Sequence, residues 1–561
     1  MHKFFKTFIF LPIFSYFTFF SFHALGAVGG PRGSQISIDL SVKITNVVSN
    51  SAAAPGKVIN GSSTIDTTPT IYGEVRSAIS SLYSVQLYAD NSQTPLNGKF
   101  ENISPIKWKF TPSAPLTVGN HTLQAAIVRF DTTVMNRSGE WNITMADSKV
   151  IEVSLSPSFE YENNRLITYD AADFVATGLS AKPGSQLKVF SAPTGPHDYR
   201  KATVLVGTMG IDSNVQIVDL NPGTNFINVK TGGLIYVRYT KNSPPFFKSN
   251  VEFTFLSGFS RVPHYILGIN TPVDWKKQLT QFTDTKHVVM ESERAMLVYT
   301  MEKAMEWKNS DYDKILSTYD VIINAEDQIS GLDNKSVVTE SDKYLVDLNR
   351  PRSNKYLVVE VDHDYLYSTN WRVAVNGKNK EAFGMSFTKN IINKPWGISH
   401  ELGHHHQQLN WTWESVVEAT VNIYSLAAER ALKISPNNLQ KRDDWNLLVR
   451  PYLARDNTGK NFNDDTQIDV WARLYMFHQL WLAYGDDFYS KLHKLVRKEN
   501  VSNLTDTEKF SYFILTACKV SGSDLTDFFK QWGLIANAST LNVIQGLGLP
   551  KPSKDIAAFH D

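Results

Sequence analysis

At 561 residues the chain is too long for one compact core and calls for about two to four domains. Its 42% hydrophobic and 12% aromatic content is ordinary for folded protein and excludes wholesale disorder. A formal net charge of +1 without any long Lys/Arg run leaves no electrostatic case for a nucleic-acid partner, and the single cysteine, Cys518, excludes an internal disulfide.

Residues 1–27 read as a secretory signal peptide. His2, Lys3 and Lys6 precede the apolar run FIFLPIFSYFTFFSF, and Ala24, Gly26 and Ala27 close it with small residues. An uncleaved membrane anchor is the competing reading, since the run nearly spans a bilayer; Pro12 and the small-residue exit favour cleavage. Elsewhere no apolar stretch is long enough to cross a membrane, so the mature chain is expected to have no span and to work outside the cell or in a periplasm.

From residue 36 to 155 the pattern is short alternating runs, ISIDLSVKI, PTIYGEV, SVQLYAD, WKFTP and HTLQAAIV, separated by turn residues. This predicts an all-β domain. The set TPTIYGEV, VQLYAD and WKFTPSAPLTVGNHTLQAAIV resembles bacterial Ig-like sandwich modules, with Trp108, Gly119 and His121 carrying the match. His121 reads as a turn histidine satisfied by backbone rather than as a ligand. Such a module would space an enzyme from a surface or hold a glycan or protein partner. Residues 156–250 form a second β-rich region, with SQLKVF, VQIVDL, NFINV and GGLIYVRYT; Gly232 and Gly233 read as a strand-entry turn.

Over residues 251–540, DWKKQL opens a helix and HVVMESERAMLVYT passes from strand-like to helical periodicity. KYLVVEVDHDYLYS supplies a strand or two. Its Asp362, His363 and Asp364 do not make a metal cluster, because adjacent residues of an extended chain alternate faces. EAFGMSFTKN then offers Phe383 to Phe387 as an edge strand lining a cleft, with Gly384 a candidate substrate contact.

The stretch Trp396 to Leu426, WGISHELGHHHQQLNWTWESVVEATVNIYSL, holds a complete metal-hydrolase kit. His400 and His404 lie four apart, so on a helix both imidazoles project from one face, as two ligands of a tetrahedral zinc require. Glu401, one position round, is held off the metal but near a water, where a general base is wanted. His405 and His406 are rotated away from the shared face, and His406 is expected to pack or hydrogen-bond nearby. Ser399 enters or caps the first turn, and Leu402 and Leu409 anchor the helix. A second helix, from about Trp413 to Lys433, brings Glu418 as third ligand. Glu414, one turn earlier, competes, and spacing alone does not separate them; Asn422, one turn beyond Glu418, favours the latter because an amide there can hold a ligand histidine through its other ring nitrogen. Trp411 and Trp413 are candidates for the cleft wall. Residues 469–529 are helical with aromatic stripes, in which Trp471, Trp481 and Trp532 read as core. Cys518, in SYFILTACKV, reads as a packed thiol, and residues 541–561 as a C-terminal tail.

HELGHHHQQ followed by W and EATVNIYSL resembles the M60-like, enhancin-type zinc metallopeptidases, whose pattern is HExxH, a spacer and a glutamate opening E-[VA]-T-x-N-[IL]. ATGLSAKPGSQL, GGLIYV, LGINTPVDW and DLTDFFKQWG extend the likeness over most of Tyr169 to Leu534. The resemblance picks Glu418 over Glu414 and implies His400, His404 and Glu418 as ligands of one zinc per chain, with Glu401 as catalytic base. Ala419 and His405 depart from the residues commoner in the family. The fold implied is multidomain: an all-β Ig-like sandwich, a β-rich subdomain, and a mainly helical α+β gluzincin-type metallopeptidase domain.

The function expected is that of a secreted zinc metallopeptidase acting on peptide bonds of mucin-like, O-glycosylated host glycoproteins, with surface glycans as further partners. Tyr365, Tyr367, Tyr475 and His478 are candidate oxyanion donors. The alternatives are a non-catalytic glycan-binding adhesin and a zinc amidase or deacetylase acting on sugars.

Overall fold

The computed structural model describes residues 40–76, 81–194, 202–243, 249–333 and 348–560. The expected signal peptide lies outside them. The chain divides into two compact units, one of residues 1–47, 71–113 and 122–141, the other of residues 48–70, 114–121 and 142–561.

The described part of the first unit is β-rich. In Lys107–Pro112 the residues Trp108, Phe110 and Pro112 are buried and those between them less so, the alternation of a half-buried strand. Residues 71–74 pair antiparallel with 107–110, which belong to a strand also paired with 98–104. A second antiparallel ladder joins 83–89, 123–129 and 134–137. A Cβ on Gly73 would lie 1.9 Å from the Trp108 indole, so this strand position admits only glycine.

The second unit contains two further β-sheets. One orders Lys149–Ser154, Asn250–Ser257, Gln186–Thr194 and Gly223–Asn228; the other orders Gln216–Leu220, Ala202–Val206, Gly233–Arg238, Val175–Ala181 and Ser260–Arg261. Val189, Phe253 and Phe255 from the first share a buried cluster with Val204, Ile235 and Val237 from the second. Lys149–Ser154, placed by sequence at the end of the preceding module, pairs with Asn250–Ser257, because Val153 and Val251 both contribute to this core. Gly232 and Gly233, both at positive φ, make the expected turn into their strand.

Next comes a mixed sheet of β1 (His264–Ile266), β2 (His287–Glu291), β3 (Ala295–Thr300), β4 (Tyr356–Val361), β5 (Leu366–Thr369) and β6 (Arg372–Asn376), in the order β1-β2-β3-β4-β6-β5. Its central strands are near-continuous apolar runs because both faces are covered. Val288, Leu297 and Val358 pack under helices, while Val289, Val298 and Val359 pack against Leu205 and Tyr236 of the preceding sheets. HVVMESERAMLVYT is therefore the β2–β3 hairpin and does not pass into helix; burial on both sides hides the period of two that would have marked it. The Ser292 N–H donates to Ala295 O at 2.9 Å in the turn.

The helices in this part include α1 (Pro272–Gln281), α2 (Tyr312–Ile329), α3 (Lys380–Phe387), α4 (Trp396–His404), α5 (Val417–Ala431), α6 (Val470–Tyr484), α7 (Asp487–Glu499) and α8 (Asp506–Ser521). Helix α1 opens on a reciprocal Thr271–Asp274 capping box. Phe383 to Phe387, expected as an edge strand, is helical: Asn379 caps α3 by accepting from Glu381 N and Ala382 N, and Phe383 and Phe387, one turn apart, both pack on Tyr299. The sheet edge next to α4 is β5 instead. Helices α6 and α8 bury an aromatic core that includes Phe477, Phe513 and Trp532; Trp481 is buried too, and Trp471 is partly so. Among the described residues no helix is long and apolar enough to cross a membrane.

Candidate metal centre

Helices α4 and α5 meet at a glycine. A Cβ on Gly403 would lie 3.0 Å from Val421 O, 3.1 Å from Val421 Cγ2 and 3.2 Å from Tyr424 Cβ, so the missing side chain sets how closely the two helices approach. Leu402 buries the helix against the sheet-side core, whereas Leu409, expected as a second anchor, is exposed beyond the helix end. Ser399 sits in the first turn, its hydroxyl donating back to Pro395 O and Trp396 O at 2.9 and 3.1 Å.

One turn apart on α4, the His400 and His404 rings stand perpendicular with centroids 4.9 Å apart. Glu418, in the first turn of α5, faces both: its Oε2 is 3.0 Å from His400 Nε2 and 3.8 Å from His404 Nε2. One donor atom from each of the three residues falls within 4.8 Å of the others. Glu414 stays outside, in a short 3-10 turn where its N–H donates to Asp506 Oδ2.

The opposite ring nitrogens are held by amides. His400 Nδ1 lies 2.8 Å from Asn422 Oδ1, and the Asn422 amide donates to Glu418 O at 2.8 Å. His404 Nδ1 lies 2.8 Å from Gln407 Oε1, and the Gln407 amide donates to Val417 O and Thr420 Oγ1 at 2.7 and 2.8 Å. With both amide nitrogens committed, the facing oxygens act only as acceptors, so each Nδ1 carries a proton and each Nε2 turns toward Glu418.

This donor set fits a zinc ion, with two imidazole nitrogens and one carboxylate oxygen converging and their tautomers fixed from behind. Hydrogen bonding from His400 holds Glu418 below the usual carboxylate range. Burial lowers His404, keeping its ring neutral. Burial also opposes charge on His400, but its hydrogen bond to Glu418 and the nearby Glu401 raise it overall. Glu401, buried beside them, is pushed upward mainly by burial.

Behind α4, His406 is buried between acids: Nδ1 is 3.2 Å from Glu326 Oε2 and Nε2 is 3.1 Å from Asp327 Oδ1, both residues of α2. Tyr356 of β4 stacks on the same ring, with its hydroxyl 3.0 Å away. Burial pushes Glu326 up to about 7. On the outer side, Ser368 of β5 donates to Glu401 O at 2.6 Å, tying the sheet edge to the turn that carries Glu401.

Trp411 and Trp413, expected on the cleft wall, are buried. Trp411 packs on Phe513 and His493, and Trp413 on Phe477 and Phe510, because the turn after α4 directs both indoles into the aromatic core. Gly384, the candidate substrate contact, is buried within α3. His363 is exposed, and among the described residues its acidic partners are its sequence neighbours Asp362 and Asp364. His121 Nε2 lies 2.6 Å from Thr117 O, as a turn histidine should. Sequence reasoning passed over Gln407, although its i+3 spacing from His404 was the available signal, and Glu326, Asp327 and Ser368, which carried none.

Residues 258–533 match the family described as peptidase M60, enhancin and enhancin-like. The chain carries an M60 domain. Among solved structures, a functionally unknown conserved protein from Bacillus anthracis str. Ames is 28% identical, with a TM-score of 0.64, over 74% of this chain and 82% of that one. The M60 catalytic domain of Clostridium perfringens ZmpC, solved in complex with the sialyl T antigen, shares the fold at 20% identity and a TM-score of 0.59, over 73% and 81% of the two chains. TRPM8 channel-associated factor 3 of Rattus norvegicus is 22% identical over 403 residues, 68% of this chain. The match spans only 40% of that relative's length.

Proposed function

We propose that this chain is a secreted zinc metallopeptidase that hydrolyses peptide bonds in mucin-like, O-glycosylated glycoproteins. The observation that carries the reading is the convergence of His400, His404 and Glu418 within 4.8 Å inside an M60 domain, with Glu401 on the adjoining turn. His400, His404 and Glu418 would hold the metal through Nε2, Nε2 and a carboxylate oxygen. When bound, zinc supplies Lewis acidity toward a peptide carbonyl and brings a water's pKa toward neutral.

The remaining work falls to the protein's own groups. The Glu401 carboxylate takes the proton of the attacking water and returns it to the amide nitrogen as that nitrogen leaves. Asn422 and Gln407 keep both imidazoles in the tautomer the site needs. The outer edge of β5, tied to Glu401 O through Ser368, offers backbone groups to an extended peptide beside the base. Support for a glycosylated substrate comes from the related ZmpC domain, solved with the sialyl T antigen. The N-terminal β region fits an Ig-like spacer between enzyme and surface.

A non-catalytic binding protein is the second reading, favoured by relatives named for association with a channel. Incubating the purified chain with native and deglycosylated mucin, with and without chelator, separates the two. Chelator-sensitive cleavage of native mucin, lost in Glu401→Gln with zinc retained, supports the peptidase. Binding that survives chelation without cleavage supports the alternative.

A further inference from the structure

We propose that the Tyr169 hydroxyl is the hydrogen-bond donor that meets the carbonyl oxygen as negative charge develops on it, an assignment that rests on the peptidase reading of this site. Amide hydrolysis places charge on that oxygen in the transition state, and a preorganised donor beside the metal lowers its energy. No other group described above faces the centre with a free proton: Asn422 and Gln407 are committed behind the histidines, and Glu401 is the base.

Tyr169 is brought in from the segment preceding the mixed sheet. Leu409 N donates to Leu166 O at 2.9 Å, Thr168 N donates to Gln407 O at 3.1 Å, and Ile167 bridges antiparallel to Gln408. This short ladder runs along the chain just beyond the metal helix. Arg165, buried, anchors its start by ion pairing with Glu162 and donating to Arg350 O, and Asn163 donates to Asp170 at 2.9 Å across the loop. Tyr169 is thereby laid against the end of α4, its ring edge-on to His404 at 6.2 Å and tilted over His405 at 5.3 Å. His405 in turn packs on Tyr356, so the phenol rests on a buried support.

The ring is half-buried, and among the described residues no hydrogen bond holds its hydroxyl. Burial first, then the charges of Glu401 and Glu418, push the phenol upward. Its ring lies edge-on to His404, whose Nε2 faces Glu418 across the centre. The donors expected from sequence lie elsewhere. Tyr475 is buried against Trp445 and His478, Tyr365 is exposed beside Glu381, and the Tyr367 hydroxyl is engaged by His363 at 2.8 Å.

The test compares Tyr169→Phe with wild type, using an O-GalNAc-threonine peptide as substrate and its phosphinate analogue as transition-state mimic. The expected result is a kcat lower by about 10²- to 10³-fold with KM within about twofold, zinc content unchanged, and phosphinate affinity reduced in parallel with kcat/KM. Calorimetric titration with the phosphinate counts only folded, competent protein, so a folding loss cannot imitate the effect. A kcat within about threefold of wild type, a loss confined to KM, or unchanged phosphinate affinity overturns the assignment of Tyr169. Failure of the zinc-loaded wild type to cleave any peptide would instead overturn the peptidase reading, and the role of Tyr169 with it.

Discussion

Replacing Gln407 with leucine separates the metal site from its support. Gln407 is fully buried, and its side chain is held at both ends: Oε1 faces His404 Nδ1 at 2.8 Å, while Nε2 donates to Val417 O and Thr420 Oγ1. Leucine keeps the volume but leaves the His404 N–H without a partner, and an orphaned buried group costs about 1–3 kcal/mol; Val417 O, in the first turn of α5, keeps the helix's own N–H. Thr420 loses less, since its hydroxyl still donates to Val416 O. With no acceptor at Nδ1, the imidazole is also no longer held in the tautomer that turns a lone pair toward Glu418. Zinc affinity should then fall by about 10- to 100-fold, the usual effect of removing such a partner. Competition against a chromophoric chelator measures the affinity, and denaturant melts measure the stability. Gln407→Glu restores the acceptor but not the donors, so zinc affinity should recover while stability stays low. Wild-type zinc affinity in Gln407→Leu would refute the claim that this amide orients the ligand.

Gly403→Ala should destabilise the fold by about 1–3 kcal/mol and weaken zinc binding, because the new methyl group pushes α5, and Glu418 with it, away from α4; an unchanged melt with unchanged zinc affinity would speak against the close crossing. Cys518, buried in the helical core with its thiol pushed up to about 11 by burial, should resist alkylation at pH 8 until the protein unfolds, and rapid labelling of native protein would contradict that placement. Burial holds His493 down at about 3, so above its ordinary value of 6.5 both states are neutral and it adds no pH slope. As pH falls below 6.5 the unfolded chain takes up a proton that the folded chain refuses, and stability drops by about 1.4 kcal/mol per unit until about pH 3. Comparing His493→Gln with wild type at pH 6 and pH 4 isolates this slope; parallel stability curves would show that the ring is not held neutral.

Local periodicity carried much of the centre. A spacing of four fixes His400 and His404 on one helical face wherever the chain goes, and Asn422, one turn past Glu418, does reach His400 Nδ1. Periodicity also rotated His406 off that face, into the acids of α2. It failed where contacts join distant segments: nothing near Glu326, Asp327 or Tyr169 announces that they will meet the end of α4. It also failed where burial erases the pattern. Strands β2 and β3 bury both faces and lose their alternation, and Phe383 and Phe387 fit a strand edge until the Asn379 cap is weighed. Trp411 and Trp413 lie next to the metal helix in sequence but are buried in the aromatic core, in the connection between α4 and α5.

Metal analysis of the purified, dialysed chain and its variants tests the central claim most directly. One zinc per chain is expected in wild type and in Glu401→Gln, with loss in His404→Ala and in Glu418→Ala. Zinc absent from the wild type, or retained at full stoichiometry in Glu418→Ala, would contradict a site built from two imidazoles on α4 and one carboxylate on α5.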